Sequence, residues 1–182
     1  MAIEENSKIK LTYAEYRCFP SDGQRHEIID GDHFVNLAPN TYHQTISGRL
    51  YFQLFEQVES KGRGRVFSAP TDLQLTETDI VQPDLIVLTR EQAKMITPTK
   101  IKGTPQIVAE ILSASTADTD RVLKKELYRR TGVAEYWVVD PNEQRVEQFV
   151  LSAESYELAG SHSKTLTSKT FAEVDIDLTR IW

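Results

Sequence analysis

The sequence predicts a mixed α/β protein, best described as α+β with a mixed central sheet flanked by helices. Short strand-like apolar runs alternate with helical patterns along the chain. The 182 residues, 40% of them hydrophobic, can bury a sizeable core without disulfides or structural zinc. The eight glycines and seven prolines are scattered, so we expect a single domain over residues 1–182 without an internal linker.

The first elements follow from local capping and turn signals. Thr12 and Glu15 form a capping-box pattern, which predicts a short helix through about Phe19. The segment Glu27–Asn36 contains two β-prone runs on either side of Asp30-Gly31, a pair suited to a tight turn. A β-hairpin is therefore expected there.

A long amphipathic helix is predicted from about Tyr42 to Ser60. Its apolar residues recur every four positions, at Ile46, Leu50, Leu54 and Val58. The basic stretch Lys61–Arg65 ends this helix and leads into a predicted strand at Val66–Ala69.

The second half alternates between strands and helices. Helices are expected at Thr89–Ile96 and at Asp118–Arg130, the second with acids in its first turn and Gly132 after its end. Strands are expected at Asp72–Leu75, Asp84–Leu88, Gln106–Leu112, Glu135–Asp140 and Arg145–Leu151, with short strands up to Trp182.

Charge and motifs exclude several classes of protein. The net charge of −6 argues against a protein that coats nucleic acid non-specifically, although residues 91–130 carry 8 basic and 5 acidic residues. A single cysteine, Cys18, permits no internal disulfide. No phosphate-binding glycine motif, secretory signal or apolar membrane-spanning run is present, and a cytoplasmic location is expected.

Three carboxylates stand inside strand-like segments. Glu27 opens EII, Asp84 opens DLIVL, and Glu110 lies within IVAEIL. A buried charge is costly unless it is paired or bound to a metal, so each acid alone is explained by solvation or by an arginine partner. Together they indicate a hard-cation site, because Mg²⁺ is held by one or two carboxylates and a substrate phosphate.

Lys124 is the candidate cation near these acids. On the predicted helix, Leu123 and Leu127 are expected to share the apolar face, with Lys124 and Tyr128 on its flank. A lysine there can bury its stem and carry its ammonium to the edge of the sheet. The alternative is an ordinary solvated helix surface, which is the interpretation favoured for Lys125.

Several segments together resemble a known family. The motifs QPDLIVL, VAEILSASTADTDR and KKELYRRTGVAEYWVVDP, with LTYAEYRCF and HEIIDGDHF before them, resemble the bacterial Uma-two family. That family belongs to the PD-(D/E)xK nuclease superfamily, so the resemblance implies a restriction-endonuclease-like core. One departure is that Leu112 stands where the superfamily places its lysine two residues after the acid.

The resemblance implies roles for individual residues. Asp84 and Glu110 would bind Mg²⁺, with Mn²⁺ as a substitute, and Glu27 would complete the acidic cluster. Lys124 would take the role of the displaced lysine. His43 and Tyr128 are accessory candidates. Apart from the resemblance, Arg121 and Lys125 of the net-positive segment 91–130 are candidate contacts to nucleic acid on a basic rim.

The leading functional hypothesis is a Mg²⁺-dependent endonuclease that hydrolyses phosphodiester bonds in DNA. The alternatives are a non-catalytic nucleic-acid-binding or regulatory module on a nuclease-like fold, and a metal-dependent hydrolase of a smaller phosphate ester. A homodimer is also considered, with Tyr156–Leu158 and the segment ending at Trp182 as its interface. The reason is that an enzyme that cuts both DNA strands needs either two active sites or two successive binding events.

Overall fold

The computed structural model describes residues 9–113 and 119–182 and has a mixed α+β architecture. In these ranges no helix is both long enough and apolar enough to cross a lipid bilayer. The α-helices are α1 (Tyr13–Tyr16), α2 (Thr41–Leu54) and α3 (Lys125–Arg130). π-Helical turns extend α2 at Phe55–Glu59 and precede α3 at Thr119–Lys124, and 3₁₀ turns occur at Glu91–Met95 and Leu178–Arg180.

Two sheets and a small ribbon make up the β-structure of the described residues. The strands are β1 (Arg25–Ile29), β2 (Asp32–Asn36), β3 (Gly64–Ser68), β4 (Leu73–Thr76), β5 (Asp79–Val81), β6 (Leu85–Thr89), β7 (Ile101–Lys102), β8 (Ile107–Ile111), β9 (Glu135–Asp140), β10 (Arg145–Ser152), β11 (Ser155–His162), β12 (Thr165–Thr167) and β13 (Asp175–Asp177). The larger sheet has the order β11-β10-β9-β8-β6-β3, the smaller β2-β1-β5-β4-β7, and β12 pairs with β13. The β8–β9 and β4–β7 pairs are parallel, and the others are antiparallel.

The six-stranded sheet is buried on both faces, because successive side chains of its central strands point to opposite sides. On β6, Leu85 and Val87 face one hydrophobic cluster, whereas Ile86 and Leu88 face the other. The first cluster also contains the buried face of α2, and the second contains residues of the smaller sheet and of α3. This double coverage explains why the central strands are nearly continuous apolar runs.

Helix α2 begins where the sequence provides a cap. The Asn40 side chain accepts a hydrogen bond from the His43 backbone N–H at 2.9 Å, which satisfies one of the free donors of the first turn. Ile46, Leu50 and Leu54 are then buried against the large sheet. The cap therefore fixes His43 at the start of the helix.

The hairpin prediction is confirmed in detail. β1 and β2 pair through Ile29 and Asp32, and Asp30 and Gly31 adopt positive φ angles of 50° and 80°. This is the backbone conformation that an Asp-Gly turn favours. The predicted helix through Phe19 is shorter than expected, since α1 ends at Tyr16.

Two local predictions are wrong or incomplete. β5 and β7, which complete the small sheet, were not predicted. Leu123 is 42% exposed, whereas Leu127 and Lys124 are buried, so the predicted apolar face is rotated. The π-helical turn, with its i→i+5 bonding, changes the phase that an α-helical pattern assumes. Asp118, the expected first residue of that helix, lies outside the described residues.

Candidate active site

Sheet register brings Asp84 and Glu110 together. Leu85 of β6 pairs with Ala109 of β8, so Asp84, directly before β6, lies beside Glu110 near the end of β8. The Asp84 backbone N–H lies 3.3 Å from Glu110 Oε2 and donates to it. Two strands far apart in sequence thus place their acids at one edge of the sheet.

Glu27 reaches the same place from the smaller sheet. Its Oε1 accepts a hydrogen bond from the Gln82 backbone N–H at 2.7 Å, and its Oε2 accepts from Asn36 Nδ2 at 2.7 Å. The side chain is completely buried. The β1–β2 hairpin and the segment after β5 therefore hold this carboxylate in a fixed orientation.

Lys124 is the cation at the centre of the acids. Its Nζ lies 3.0 Å from Glu27 Oε1, 3.0 Å from Glu110 Oε1 and 3.4 Å from Asp120 Oδ1, and its side chain is 3% exposed. Burial disfavours the charged ammonium, but Glu110, Glu27 and Asp120 outweigh it and raise the pKa of Lys124 well above its ordinary value. Lys124 is therefore an ammonium at neutral pH.

Asp84 is held by three donors. Its Oδ1 accepts from Arg25 Nη1 at 2.8 Å, and its Oδ2 accepts from the Ile111 backbone N–H and from His43 Nε2, both at 2.9 Å. Burial favours the neutral acid, but the hydrogen bond from His43 and the charges of His43 and Arg25 lower the pKa of Asp84 below its ordinary value. Asp84 is thus an anion, and His43 Nδ1 is buried without a hydrogen-bond partner.

Glu110 has the opposite electrostatic balance. Its Oε1 accepts hydrogen bonds from Lys124 Nζ at 3.0 Å and from the Tyr128 hydroxyl at 2.7 Å. Burial raises the pKa of Glu110 to about 8; Lys124 opposes this shift, whereas the neighbouring Asp120, Asp84 and Glu27 reinforce it. Any cation that joins this cluster will therefore favour the loss of that proton.

The cluster contains more acids than fixed cations. Four buried acidic side chains, those of Glu27, Asp84, Glu110 and Asp120, surround two cations, the ammonium of Lys124 and the guanidinium of Arg25. A divalent cation would favour the ionised form of Glu110, and carboxylate oxygens are the donors that Mg²⁺ prefers. The donor set therefore fits a hard cation held by Asp84 and Glu110.

The same oxygens are already engaged by protein cations. Within residues 9–113 and 119–182, no three His, Cys, Asp or Glu side chains converge in an arrangement that could hold a metal ion. Arg25 donates to Asp84 Oδ1 at 2.8 Å, and Lys124 donates to Glu110 Oε1 at 3.0 Å. Metal binding would thus require Arg25 or Lys124 to give up a contact.

A cavity of about 220 Å³ gives access to the cluster. Arg25, His43, Asp84, Glu110 and Lys124 line it, together with residues of the segment between β2 and α2. Glu27 and Tyr128 are not in its lining, because they lie behind Lys124 and Glu110. A ligand in this cavity would meet the acids, the ammonium and the guanidinium at once.

Two of the predicted residues lie away from this cavity. Arg121 is bound by Glu147 at 2.6 Å and Asp140 at 3.0 Å, and the Lys125 ammonium lies 3.6 Å from the centre of the Phe149 ring. Both line a separate cavity. Their role as nucleic-acid contacts stays a prediction, with these existing partners as competitors.

Four residues of the site were not predicted: Arg25, Asn36, Gln82 and Asp120. Two of them had a signal in the sequence. Arg25 lies two residues before Glu27 on a strand, so both side chains share a face. Asp120 lies one helical turn before Lys124. Asn36 and Gln82 had no such signal, since their contacts depend on how the hairpin packs on the small sheet.

The mixed sheet, with its acids and a buried lysine at one edge, has the fold of restriction-endonuclease-like nucleases. A crystal structure of a putative nuclease belonging to DUF820 from Anabaena variabilis superposes with a TM-score of 0.77 at 18% identity, covering 94% of this chain and 97% of that one. The model of the Uma2 family, described as putative restriction endonucleases, matches residues 13–179. The chain belongs to that family.

Other comparisons add little. The type IIG restriction endonuclease BpuSI matches with a TM-score of 0.39 at 13% identity, over 77% of this chain and 15% of that one. Proteins with curated functions gave no significant match. Family membership supports a nuclease, that is, a hydrolase of phosphodiester bonds.

Proposed function

We propose that this protein is a Mg²⁺-dependent endonuclease that hydrolyses phosphodiester bonds of DNA. The observation that carries the proposal is the buried Lys124 ammonium, 3.0 Å from both Glu27 and Glu110, beside Asp84 in one cavity. This combination of acids and a cation suits a phosphate that gains negative charge during displacement. The net-negative chain requires the cavity, rather than the whole surface, to attract the substrate.

The proposed role of each residue follows from its contacts. Asp84 and Glu110 would hold the metal, with the Ile111 carbonyl as a further oxygen, and the metal would polarise the phosphate and acidify a bound water. Lys124, held as an ammonium, stabilises charge on the phosphate and orients the attacking water. His43 and Tyr128 act through Asp84 and Glu110 and are positioning residues.

The test is cleavage of supercoiled plasmid by the purified protein in Mg²⁺, Mn²⁺, Ca²⁺ or EDTA. We expect nicking with Mg²⁺ or Mn²⁺, and its loss in Asp84→Ala and in Lys124→Met. Lys102→Met is the matched control, because Lys102 is an exposed lysine paired with Glu77. Activity that survives Asp84→Ala, or metal binding unchanged by that substitution, contradicts the proposal.

A second function has an observation in its favour. Arg25 and Lys124 already bind the acids that a metal would need, which is what a metal-independent binding module requires. Such a module would bind nucleic acid without divalent-dependent stabilisation. Thermal unfolding with and without Mg²⁺ separates the two, because only the nuclease needs the cation. Comparison of plasmid DNA, RNA and a small phosphate diester then tests the substrate.

We also propose that the protein forms a homodimer through β11. β11 is an outer strand of the large sheet, and Leu158 on it is 58% exposed. An unpaired edge with an apolar side chain is a surface on which strands of two copies can pair. Light scattering on Leu158→Lys, which is expected to be monomeric, tests it, and an unchanged mass would contradict this interface.

A further inference from the structure

A second, larger cleft adjoins the active-site cavity. It has a volume of about 530 Å³ and shares Arg25, Ala38 and Pro39 with the smaller cavity. Most of its remaining walls come from α1, the segment after α1 and the residues before β4. The walls are completed by His26, Gln44 and Gln82. The volume lies in the range that holds one small organic ligand. The two spaces are thus adjacent compartments with Arg25 between them.

Aromatic rings form one wall of this cleft. The rings of Tyr13 and Tyr16 are stacked at 5.8 Å with an angle of 22°, and Phe19 meets Tyr16 edge-on at 5.7 Å. Phe19 also packs against His33, with ring centres 4.2 Å apart, which holds it in place from behind. Tyr13, Tyr16 and Phe19 are only partly buried. Because Lys100 Nζ lies 3.0 Å from the centre of the Tyr13 ring, Tyr16 and Phe19 provide the aromatic surface that a flat ring can contact.

Polar groups connect this wall to the acidic cluster. Gln82 donates through its side chain to Asp72 at 2.9 Å and to the Tyr16 hydroxyl at 3.0 Å, both in the cleft. Its backbone N–H donates to Glu27 Oε1 in the cluster at 2.7 Å. One residue therefore fixes the distance between the cleft and the candidate active site.

The charges suit a phosphate-linked ligand. Arg25 stands between the two compartments, and Arg17 is an exposed cation in the lining of the cleft. A strand whose backbone passes Arg25 would place one phosphate beside Asp84 and the neighbouring base against the rings. Aromatic side chains accept any base in this way, because every base has a flat π-face.

We infer that this cleft binds an unpaired nucleobase next to the phosphate to be cut, so that the substrate is single-stranded or locally unpaired DNA. A base inside a duplex is stacked and paired and cannot enter a pocket of this size without being extruded. The inference rests on the proposed function for the meaning of "the phosphate to be cut". The binding itself does not require cleavage.

The experiment measures binding of a short fluorescein-labelled single strand, and of the same sequence as a duplex, by anisotropy in EDTA at low salt. EDTA prevents metal-dependent cleavage, so binding is read alone. We expect the single strand to bind more tightly, and Phe19→Leu to weaken it by at least about fivefold, as the loss of base stacking does. Phe19→Tyr keeps the ring and should bind as the native protein does.

The matched control is Phe52→Leu, which removes a 51% exposed phenylalanine from α2, outside the cleft. Its affinity should equal that of the native protein. Equal affinities of Phe19→Leu and Phe52→Leu, tighter binding of the duplex, or no binding of either DNA form would overturn the inference. If Phe19→Leu does not fold, Arg17→Met at the exposed cation replaces it and must weaken the single strand.

The outcomes also separate this inference from the proposed nuclease. If the single strand binds in a ring-dependent way but is not cleaved in Mg²⁺, base binding in the cleft is supported and the proposed nuclease activity is refuted. If Phe19→Leu cleaves DNA and binds the single strand with native affinity, the nuclease activity is supported and base binding in the cleft is refuted.

Discussion

The stability of the metal-free protein is expected to fall as the pH rises from about 5 to about 8, because Glu110 must lose its proton while it is buried. In the unfolded chain this carboxyl ionises near its ordinary value of 4.5, whereas burial raises its pKa in the folded protein to about 8. Between these values the unfolded state binds fewer protons than the folded state. Rising pH therefore favours unfolding in that range, and Glu110 contributes its full stability below pH 4.5.

The size of this effect follows from the gap between the two values. Each pH unit corresponds to about 1.4 kcal/mol, so the gap from 4.5 to about 8 sets an upper limit of about 5 kcal/mol. For a chain of this size, 1 kcal/mol lowers the melting temperature by roughly 2–4 °C. Mg²⁺ favours the ionised carboxyl of Glu110. At a hundredfold excess over its Kd, Mg²⁺ would raise the free energy of unfolding by about 2.7 kcal/mol.

The assay is thermal unfolding by circular dichroism at several pH values, in EDTA and in Mg²⁺. Glu110→Gln keeps the acceptor oxygen for Lys124 and Tyr128 but cannot ionise, so its melting temperature should vary much less across this range. Only the difference between the two proteins measures Glu110, since other groups also titrate. Parallel curves for the native protein and Glu110→Gln would refute the reasoning.

Three further substitutions test separate contacts. Arg25→Met frees Asp84 Oδ1 and should tighten Mg²⁺ binding severalfold by isothermal titration calorimetry, so unchanged or weaker binding would contradict the competition between Arg25 and metal. Lys124→Met leaves buried carboxylates unbalanced and should cost about 3–5 kcal/mol in urea unfolding, as broken buried ion pairs do. Glu135 accepts hydrogen bonds from Gln148 and other donors in a buried network. Glu135→Gln should lower the free energy of unfolding by about 1–3 kcal/mol and leave the activity per folded molecule unchanged. Reduced activity of the folded variant would link this network to the site.

The sequence predicted the acids of the cluster because they violate a pattern. Glu27 and Glu110 interrupt apolar strands, and Asp84 opens one, so each requires a reason to be buried. The structure shows them within one cluster around Lys124. The fold class was predictable for a similar reason, since the apolar runs of β6, β8 and β9 are those of strands covered on both faces.

The remaining features depend on contacts that periodicity does not contain. Leu123 was assigned to the apolar face, but the π-helical turn before α3 rotates it outward and turns Lys124 inward. β5 and β7 have three and two residues, too short for an alternation pattern. The contact of Gln82 with Glu27 exists only because the segment after β5 passes beside β1.

The cluster joins residues that are widely separated along the chain. Lys124, which completes the cluster, lies about 100 residues after Glu27 in the sequence. The π-helical turn that carries Lys124 is held by a hydrogen bond of 2.9 Å from the Tyr136 hydroxyl to the Asp120 carbonyl. Closing such a long loop carries an entropic cost that only the assembled core offsets. Before β9 is in place, the turn that carries Lys124 lacks its hydrogen bond to Tyr136. Assembly of the acidic cluster around Lys124 is thus coupled to formation of the central sheet.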